Sequence, residues 1–337
     1  MQSYRLERFG NLDGLVPVTE SVPEPAAGEV LVRVKASALN FRDHAILMGW
    51  SPFPVAAGRI PLSDAAGEVV AVGAGVARFK AGDRVIDSFY PAWFGGRRPL
   101  ASDFYGTERD GWLTEYKAVS AEALVLAPPH LSFAEAATLP CAGVTAWSAL
   151  SGVGPGDTVL TQGTGGVSLF ALQFAKMLGA RVIATTSSAM KVGQLKALGA
   201  DSVIDYAATP EWADAARALT DGHGVDRVVE VGGPGTLAQS IKAVAYGGHV
   251  SIVGALAAGP DAPKGMDFMN VFMSRATYRC IGVGSRADLE ELCRAISARQ
   301  LRPVIDRAFS LADTPAAWTH FAGRRLFGKV VINHAES

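Results

Sequence analysis

The first 140 residues are a succession of short segments rich in β-branched and other apolar residues, separated by turn-forming residues. Residues 29–35 (EVLVRVK) and 67–73 (GEVVAVG) are typical. Segments of this length and composition are characteristic of β-strands. The pattern predicts a β-rich region, and not the alternation of strands and helices that marks a parallel α/β fold.

From residue 155 the pattern changes, and short apolar runs alternate with segments of helical periodicity. The predicted strands are residues 158–162, 181–185, 202–204, 226–231, 249–253 and 278–283. The predicted helices between them are residues 167–178, 189–198, 212–219 and 236–244. Six strands joined by crossover helices predict a doubly wound parallel sheet of the Rossmann type.

The segments that follow and precede this sheet define the predicted domains. Residues 286–299 have the periodicity of one amphipathic helix, and residues 328–332 that of a short strand that returns to the first region. We therefore predict a discontinuous catalytic domain, residues 1–142 with 283–337, and a dinucleotide-binding domain, residues 143–282. The longest predicted loop is 90–111, and loops of that length often have a function.

Composition narrows the classes of partner. The chain has 337 residues, 49% hydrophobic residues, 19% charged residues and a formal net charge of -1. A length of this order suggests about two domains, and the balanced charge argues against nucleic acid or an anionic membrane as partner. With no apolar stretch of membrane-spanning length and no secretory segment, we expect a cytoplasmic protein that acts on a small molecule.

Residues 157–162 lead into Gly163-Thr-Gly-Gly-Val-Ser168 and then into a predicted helix. This order presents backbone amides at a helix N-terminus, where they bind a pyrophosphate. Gly163 permits the tight turn and Gly165 lets the backbone approach the ligand, while Ser168 replaces the third glycine of the fingerprint. The surrounding strands favour a dinucleotide site over a glycine-rich turn without a ligand.

The residues after the second strand of this series indicate which dinucleotide is bound. An NAD site has an acidic residue there, whereas this strand leads into Ser187 and Ser188, with Lys191 close behind. Hydroxyl groups and an ammonium bind a 2'-phosphate that a carboxylate would repel. We therefore predict NADP(H), with the alternative that the serines only cap the next helix and Lys191 is a surface charge.

Six motifs along the chain carry a family resemblance. They are Ala38-Leu-Asn-Phe-Arg-Asp43, Pro61-Leu-Ser-Asp-Ala-Ala-Gly-Glu68, Phe79-Lys-Ala-Gly-Asp-Arg-Val85, Ala136-Ala-Thr-Leu-Pro140, Gly163 to Val167, and Val203-Ile-Asp-Tyr206. With them the chain resembles, over nearly its full length, the medium-chain dehydrogenase/reductase superfamily and its zinc-free quinone oxidoreductase-like branch. The resemblance implies that the β-rich domain is GroES-like.

The resemblance also implies which residues bind the cofactor, and it assigns Lys191 and Tyr206 to the 2'-phosphate. The predicted cofactor-binding residues are Thr145, Gly163, Thr164, Gly165, Gly166, Val167, Thr186, Ser187, Ser188, Lys191, Tyr206, Gly232, Gly233, Val253, Gly254, Ile281 and Val283. The run 277–283 contains the last predicted strand, and an unpaired apolar edge favours pairing with its copy, which predicts a homodimer; the resemblance implies the same mode.

Zinc-dependent members of the superfamily hold their metal with Cys, His and Cys, at positions that match Asn40, Ser63 and Cys141 here. An amide and a hydroxyl are poor zinc ligands. The three cysteines are widely spaced and form no CxxC motif, and the sequence has no HExxH motif. We therefore expect no metal, and we interpret Cys141 as a packed small residue.

These observations predict an NADPH-dependent oxidoreductase that transfers hydride to a quinone or an activated enone. Asn40 is expected to donate its side-chain N–H to the substrate oxygen. Asp43 and His44 are the candidate proton donors, and Ser51 stands where many relatives of this branch have a tyrosine. The alternatives are an alcohol dehydrogenase or carbonyl reductase, and a non-catalytic NADPH-binding protein; the natural substrate and the preferred direction stay open.

Overall fold

The structure is a computed structural model that describes residues 1–100, 103–255 and 267–334. Its strands are β1 (Gln2–Leu6), β2 (Leu15–Thr19), β3 (Glu29–Ala38), β4 (Asp64–Val72), β5 (Arg84–Asp87), β6 (Tyr116–Ser120), β7 (Leu124–Leu126), β8 (Thr158–Gln162), β9 (Arg181–Thr186), β10 (Ser202–Asp205), β11 (Val225–Glu230), β12 (Val244–Ile252), β13 (Thr277–Cys280), β14 (Ile305–Ser310) and β15 (Lys329–Asn333). Its helices are α1 (Phe41–Leu47), α2 (Phe133–Ala136), α3 (Val144–Ala149), α4 (Gly166–Met177), α5 (Val192–Ala197), α6 (Trp212–Ala218), α7 (Leu237–Ala243), α8 (Phe268–Ser274), α9 (Arg286–Arg299) and α10 (Thr314–Ala322).

The chain divides into two compact units. Unit 1 comprises Met1–Val144 and Val283–Ser337, and unit 2 comprises Thr145–Gly282. No helix in the described part of the chain is both long enough and apolar enough to cross a membrane.

Unit 2 is built on one parallel sheet of six strands in the order β10-β9-β8-β11-β12-β13. Valine, isoleucine and leucine side chains of these strands pack with α6 and α7 in one buried core. The order reverses between β8 and β11, which are neighbours in the sheet but separated in sequence by two strands. In sheets of this kind ligands bind at the carboxyl ends of the strands beside such a reversal. The predicted doubly wound sheet is thereby confirmed.

Unit 1 is built on a seven-stranded, mostly antiparallel sheet in the order β14-β15-β3-β4-β5-β7, with β6 also paired to β3. The C-terminal strand β15 pairs antiparallel with β3, and Val331 lies opposite Ala38. This register brings Lys329, the first residue of β15, next to Leu39 and Asn40, which follow β3. Strands β1 and β2 form a separate two-stranded sheet.

Strand β12 is longer than predicted and begins where the last predicted helix was expected to end. Val225 pairs with Val244, but the next paired position of β11, Arg227, lies opposite His249. The intervening residues form an irregularity that no local periodicity announces, because a bulge interrupts the two-residue repeat.

Strand β13 is shorter than the predicted 278–283. The N–H of Ile281 still donates to the carbonyl of Ile252 at 2.8 Å, but Val283 has a φ of +64°. This left-handed conformation is incompatible with a continuing strand and is strained for a β-branched residue.

Two other predicted elements contrast in their accuracy. The helix predicted at 286–299 has the observed bounds of α9, and its N-cap Ser285 forms a capping box with Asp288. The helix predicted at 189–198 is instead a 3₁₀ turn, Ala189–Lys191, followed by α5. The first has a capping box that its structure uses, whereas at the start of the second the cap candidate Ser188 makes no side-chain capping hydrogen bond.

Candidate cofactor and substrate sites

The turn after β8 has the geometry of a phosphate-binding loop. Gly163 has a φ of +73°, which favours glycine, and Gly165 is the N-cap of α4. A Cβ added at either glycine would meet no atom within 4 Å. The turn therefore borders open space at a helix N-terminus, where backbone N–H groups lack intrahelical partners and can bind a pyrophosphate.

Ser168, which replaces the third fingerprint glycine, is buried against the end of β8. Its hydroxyl donates to the carbonyl oxygen of Gln162 at 2.6 Å. The hydroxyl thus satisfies a strand-end acceptor while the side chain stays small enough for α4 to pack on the sheet. The substitution is compatible with the dinucleotide fold because it adds one hydrogen bond and little volume.

Nearly all predicted cofactor-binding residues lie at the carboxyl ends of the parallel strands. Gly163 to Val167 follow β8, Thr186 to Lys191 end or follow β9, Tyr206 follows β10, Gly232 and Gly233 follow β11, Val253 and Gly254 follow β12, and Ile281 follows β13. The topology thus brings these residues to one edge of the sheet. The strand ends do not account for Thr145, which lies in α3, or for Val283, which belongs to unit 1.

The residues predicted to bind a 2'-phosphate are linked to the glycine turn. Nζ of Lys191 donates to Oγ1 of Thr164 at 3.0 Å. The N–H of Tyr206 donates to the carbonyl of Thr186 at 2.9 Å, and the tyrosine side chain is partly exposed. These contacts place an ammonium beside the phosphate turn.

Ser188 stands at the position that precedes the 3₁₀ turn, but its side chain makes no capping hydrogen bond. Its N–H instead donates to Oγ1 of Thr186 at 3.2 Å. The alternative interpretation, in which the serine hydroxyls serve only as caps, is therefore not supported at Ser188.

A buried carboxylate that sequence reasoning missed shapes the loop after β11. Five groups donate to Glu230: the N–H groups of Gly232 and Gly233, both at 2.8 Å, the Thr236 hydroxyl at 2.6 Å, the Gln162 amide at 2.8 Å, and the Ser240 hydroxyl. Because Gln162 ends β8 and Glu230 ends β11, the network joins the two strands at the reversal point. An acidic residue at the end of an apolar strand was the available signal.

Two of the predicted cofactor glycines have a steric reason of their own. A Cβ at Gly254 would lie 2.3 Å from the carbonyl oxygen of Val231, and one at Gly232 would lie 2.3 Å from Oγ1 of Thr236. The backbone of residues 231 and 233 therefore requires a glycine at 254, and the Thr236 side chain disfavours any larger residue at 232. They differ from Gly163 and Gly165, which face open space.

Unit 1 contains a buried polar cluster, which we define as Asn40, Ser63, Asp64, Cys141 and Lys329. Nζ of Lys329 donates to Oδ1 of Asn40 at 2.6 Å, and Nδ2 of Asn40 donates to Oγ of Ser63 at 3.4 Å. The Ser63 hydroxyl donates to Asp64 at 2.6 Å, and the N–H of Cys141 donates to the other oxygen of that carboxylate at 3.2 Å. Burial raises the pKa of Asp64, opposed by the positive charge of Lys329.

Asp43 supports this cluster through the backbone. Its carboxylate accepts from the N–H of Asn40 at 2.9 Å and from the Arg42 guanidinium at 3.0 Å. Asn40 is the N-cap of α1, so Asp43 fixes the start of that helix. Burial raises the pKa of Asp43 to about 6, an effect that the charge of Arg42 opposes. The predicted proton donor is thus engaged in positioning Asn40.

His44, the other predicted proton donor, lies among aromatic rings. Its ring centroid is 5.5 Å from that of Trp50 and 6.3 Å from that of Phe321. Burial lowers the pKa of His44, and its Nδ1 is buried with no hydrogen-bond partner among the described residues.

Ser51 stands where many relatives have a tyrosine. Its Oγ accepts a hydrogen bond from the N–H of Phe53 at 3.1 Å.

The segment predicted as a long loop, 90–111, contributes to an aromatic cluster, although its residues 101–102 lie outside the described residues. We define the aromatic cluster as Phe89, Tyr90 and Phe104, whose ring centroids lie 4.7 to 5.7 Å apart. Cys141 packs against it. The aromatic cluster therefore adjoins the polar cluster.

The polar cluster does not fit a zinc ion. In the described ranges there is no group of three or more His, Cys, Asp or Glu residues that could hold a metal. Two of the three positions that ligate zinc in zinc-dependent relatives carry Asn40 and Ser63, and the Lys329 ammonium bonds directly to Asn40. The Lys329 ammonium would repel a zinc ion bound beside Asn40.

Comparisons with known proteins agree with this architecture. The family model of the alcohol dehydrogenase GroES-like domain matches residues 26–129, and the model of zinc-binding dehydrogenases matches residues 166–298. A zinc-type alcohol dehydrogenase-like protein of Schizosaccharomyces pombe is 40% identical over 97% of both chains. The chain belongs to the medium-chain dehydrogenase/reductase superfamily. The predicted GroES-like domain and the predicted class of enzyme, an oxidoreductase, are confirmed.

Other members of the superfamily are similar over almost the whole chain. The chloroplastic quinone oxidoreductase of Triphysaria versicolor is 33% identical over 96% of this chain and 95% of its own. The crystal structure of a putative alcohol dehydrogenase from Sinorhizobium meliloti matches with a TM-score of 0.91, at 40% identity and over 98% of both chains. The chain is thus similar both to relatives named for quinone chemistry and to relatives named for alcohol chemistry.

Lys329, which is, like Lys191, a lysine at a candidate site, was not predicted from the sequence. It is 4% exposed and begins a strand whose next residues, Val330, Val331 and Ile332, are fully buried. A lysine at the head of such an apolar strand is rarely buried without a reason. That contrast was the signal in the sequence.

Proposed function

We propose that this protein is a zinc-independent, NADPH-dependent reductase of quinones or activated enones. The observation that supports it most directly is the Asn40 amide, held by the Lys329 ammonium at 2.6 Å at a position where zinc-dependent relatives have a cysteine ligand. An amide N–H is a suitable donor to a developing oxyanion. The similarity to a chloroplastic quinone oxidoreductase points to the same substrate class.

The proposed cofactor is NADP(H), bound by unit 2. Gly163 and Gly165 leave room for the pyrophosphate at the start of α4. Lys191 supplies a positive charge beside this turn, and Tyr206 and the serines after β9 supply hydroxyl groups for a 2'-phosphate. Charge-assisted hydrogen bonds of this kind favour NADP(H) over NAD(H).

When bound, NADPH supplies a hydride to the β-carbon of the substrate. Negative charge then develops on the conjugated oxygen, and we assign the N–H donor for it to Asn40. The resulting enolate can take its proton from solvent, which suits a site where Asp43 is engaged with the Asn40 backbone and Arg42. Reduction of a simple ketone forms the more basic alkoxide, which without zinc or a dedicated acid has a higher barrier.

A substrate panel tests the proposed function. The purified protein is supplied with NADPH and with a quinone, an enone or a simple ketone, and consumption of NADPH is followed by fluorescence. We expect turnover of the quinone or the enone and slow turnover of the ketone. Elemental analysis of the same sample should find less than stoichiometric zinc, and a chelator should leave the rate unchanged.

The second candidate is an alcohol dehydrogenase or carbonyl reductase, favoured by the solved structure of a putative alcohol dehydrogenase that is 40% identical. Faster turnover of simple ketones or secondary alcohols than of enones and quinones would establish this candidate instead. No turnover with any of the three substrates would favour a non-catalytic NADPH-binding protein.

We also propose a homodimer that pairs through the edge of the unit 2 sheet. β13 is the edge strand of that sheet, and α8 exposes a group of large apolar side chains, Phe268, Met269, Phe272 and Met273. Exposed apolar side chains next to an unpaired strand edge are characteristic of an interface. Light scattering at micromolar concentration should give twice 35.2 kDa, and the monomer mass would contradict the proposal.

A further inference from the structure

Lys329 is a buried cation whose hydrogen bonds go to neutral oxygen atoms. Its ammonium donates to the carbonyl oxygen of Leu39 and to Oδ1 of Asn40, both at 2.6 Å. The salt bridges found among the described residues do not include it. Its charge lowers the pKa of two buried carboxyl groups, Asp64 and Asp43, but neither forms a direct ion pair with it. A buried charge is costly, and an apolar residue of similar volume is often more favourable for stability. Packing in β15 therefore does not explain a lysine at this position.

The contact with Asn40 has a directional consequence. An ammonium is only a donor, and in the asparagine amide Oδ1 is only an acceptor and Nδ2 only a donor. The rotated amide would direct Nδ2 at the ammonium and lose the 2.6 Å hydrogen bond. Lys329 thus holds the amide in one of its two orientations, with Nδ2 on the side of Ser63.

The same contact polarises the amide. The ammonium bonded to Oδ1 draws electron density toward that oxygen, which makes the N–H groups of Nδ2 stronger donors. One N–H is directed at the Ser63 hydroxyl at 3.4 Å, and Nδ2 carries a second. The Asn40 amide also lowers the pKa of the neighbouring Asp64 as a hydrogen-bond partner. Asn40 keeps a small accessible surface. The arrangement presents an oriented, polarised N–H donor supported by a charge behind it.

We propose that Lys329 is a positioning residue for the reduction: it fixes and polarises the Asn40 amide so that Nδ2 donates to the substrate oxygen. This inference depends on the proposed function. It assigns to a lysine and an asparagine together the electrophilic role that a metal has in zinc-dependent relatives. Its effect acts on the charge that develops during reaction, so it should appear in kcat rather than in the affinity for NADPH.

The test replaces Lys329 with methionine, arginine or glutamine in the full-length protein and compares kcat for the best quinone or enone. Lys329→Met should lower kcat by about ten- to a hundredfold, the range seen when a residue that orients a metal ligand is removed. Lys329→Arg, which keeps the charge and the donors, should restore part of it, and Lys329→Gln should lie between. Lys80→Met, which removes an exposed lysine, is the control for loss of one charge.

A double-mutant cycle separates positioning from a general effect. In Asn40→Ala, where the amide is absent, Lys329→Met should cause little further loss of kcat. The same fold loss in both backgrounds would overturn the proposal. If none of the three Lys329 variants folds while Lys80→Met does, the lysine is structural and the proposal is wrong.

A readout without activity keeps this inference distinct from the proposed function. The Asn40 side-chain amide gives a ¹⁵N–¹H resonance pair that is assigned by its loss in Asn40→Ala. The pair should shift in Lys329→Met and recover in Lys329→Arg; an unchanged position would contradict positioning by Lys329. If the wild type reduces neither quinones nor enones, the proposed function fails, while the resonance still decides whether Lys329 holds the amide.

Discussion

The glycine turn of unit 2 and the polar cluster of unit 1 are the two candidate sites of this chain, and they are built in different ways. The turn, residues 163–168, uses backbone N–H groups and glycines that border open space. The polar cluster joins the buried side chains of Asn40, Ser63, Asp64 and Lys329 with the backbone N–H of Cys141 through hydrogen bonds. A site of the first kind is sensitive to an added side chain, and one of the second kind to the loss of a partner or to pH.

The largest expected effect comes from removing the proposed oxyanion donor. Asn40→Ala should lower kcat by about a hundred- to a thousandfold. This corresponds to a loss of about 2.7 to 4 kcal/mol of transition-state stabilisation, the range seen when one such donor is lost. The Kd of NADPH should stay unchanged. Steady-state kinetics and a fluorescence titration measure the two quantities. Asn11→Ala removes an amide that caps a surface turn and is the matched control. An unchanged kcat in Asn40→Ala would remove this residue from the mechanism.

The second effect is a pH dependence expected of unit 1. Burial lowers the pKa of His334 from 6.5 to about 3. Below pH 6.5 the unfolded state therefore binds a proton that the folded state does not, and stability is lost as the pH falls. One proton corresponds to about 1.4 kcal/mol per pH unit, so about 2 kcal/mol should be lost between pH 6.5 and 5.

Native-state hydrogen exchange can compare the two units in one sample. Amides of β3 in unit 1 should lose protection as the pH falls toward 5, beyond the intrinsic pH dependence of exchange, and more than those of β8 in unit 2. His334→Gln should abolish the difference, whereas His223→Gln, at an exposed position, should preserve it. Equal loss in both strands would show that the titration of His334 does not act on unit 1 selectively.

The third effect concerns the choice of dinucleotide. Lys191→Ala should weaken NADPH binding by about tenfold, or about 1.4 kcal/mol, because a charge-assisted bond to the 2'-phosphate is lost, and should leave NADH binding nearly unchanged. Fluorescence titration with both dinucleotides measures this. Lys196→Ala, on the exposed side of α5, is the matched control. An equal loss for both dinucleotides would refute the assignment of Lys191.

The smallest effect tests the open space at the glycine turn. Gly165 has a φ of −75° and no neighbour within 4 Å of an added Cβ, so Gly165→Ala should not destabilise the fold. The methyl group should weaken NADPH and NADH alike, by about 1 kcal/mol, as overpacking typically does. Gly154→Ala, whose Cβ also meets nothing, should leave both affinities unchanged. Unaltered binding in Gly165→Ala would place the pyrophosphate elsewhere.

Local signals explain which elements could be predicted. The strands of unit 2 and helix α9 were predicted because periodicity and capping residues are properties of neighbouring residues. The start of β12 and the end of β13 were predicted wrongly. The bulge arises from the pairing of β11 with β12, and the left-handed conformation of Val283 has no counterpart in the apolar periodicity.

The candidate sites follow the same division. The glycine turn after β8 was predicted because a phosphate loop is a continuous piece of backbone, and six consecutive residues contain its chemistry. Asn40 was predicted as an oxyanion donor, whereas its partner Lys329, 289 positions away, was not. Likewise Glu230, which shapes the loop after β11, was not recognised: three of its donors lie in that loop, but the Gln162 amide that joins it to β8 is 68 positions away.

The sequence by itself determined the six strands of unit 2, the glycine turn after β8 and the presence of an amide and a hydroxyl at Asn40 and Ser63, whereas α3 and α8 were not predicted. Only the tertiary structure decided which side chains meet Asn40 and Ser63. The antiparallel register of β15 on β3, with Val331 opposite Ala38, brings Lys329 to Asn40. That register depends on hydrogen bonds and packing between the two ends of the chain, because a strand has no local signal for its partner.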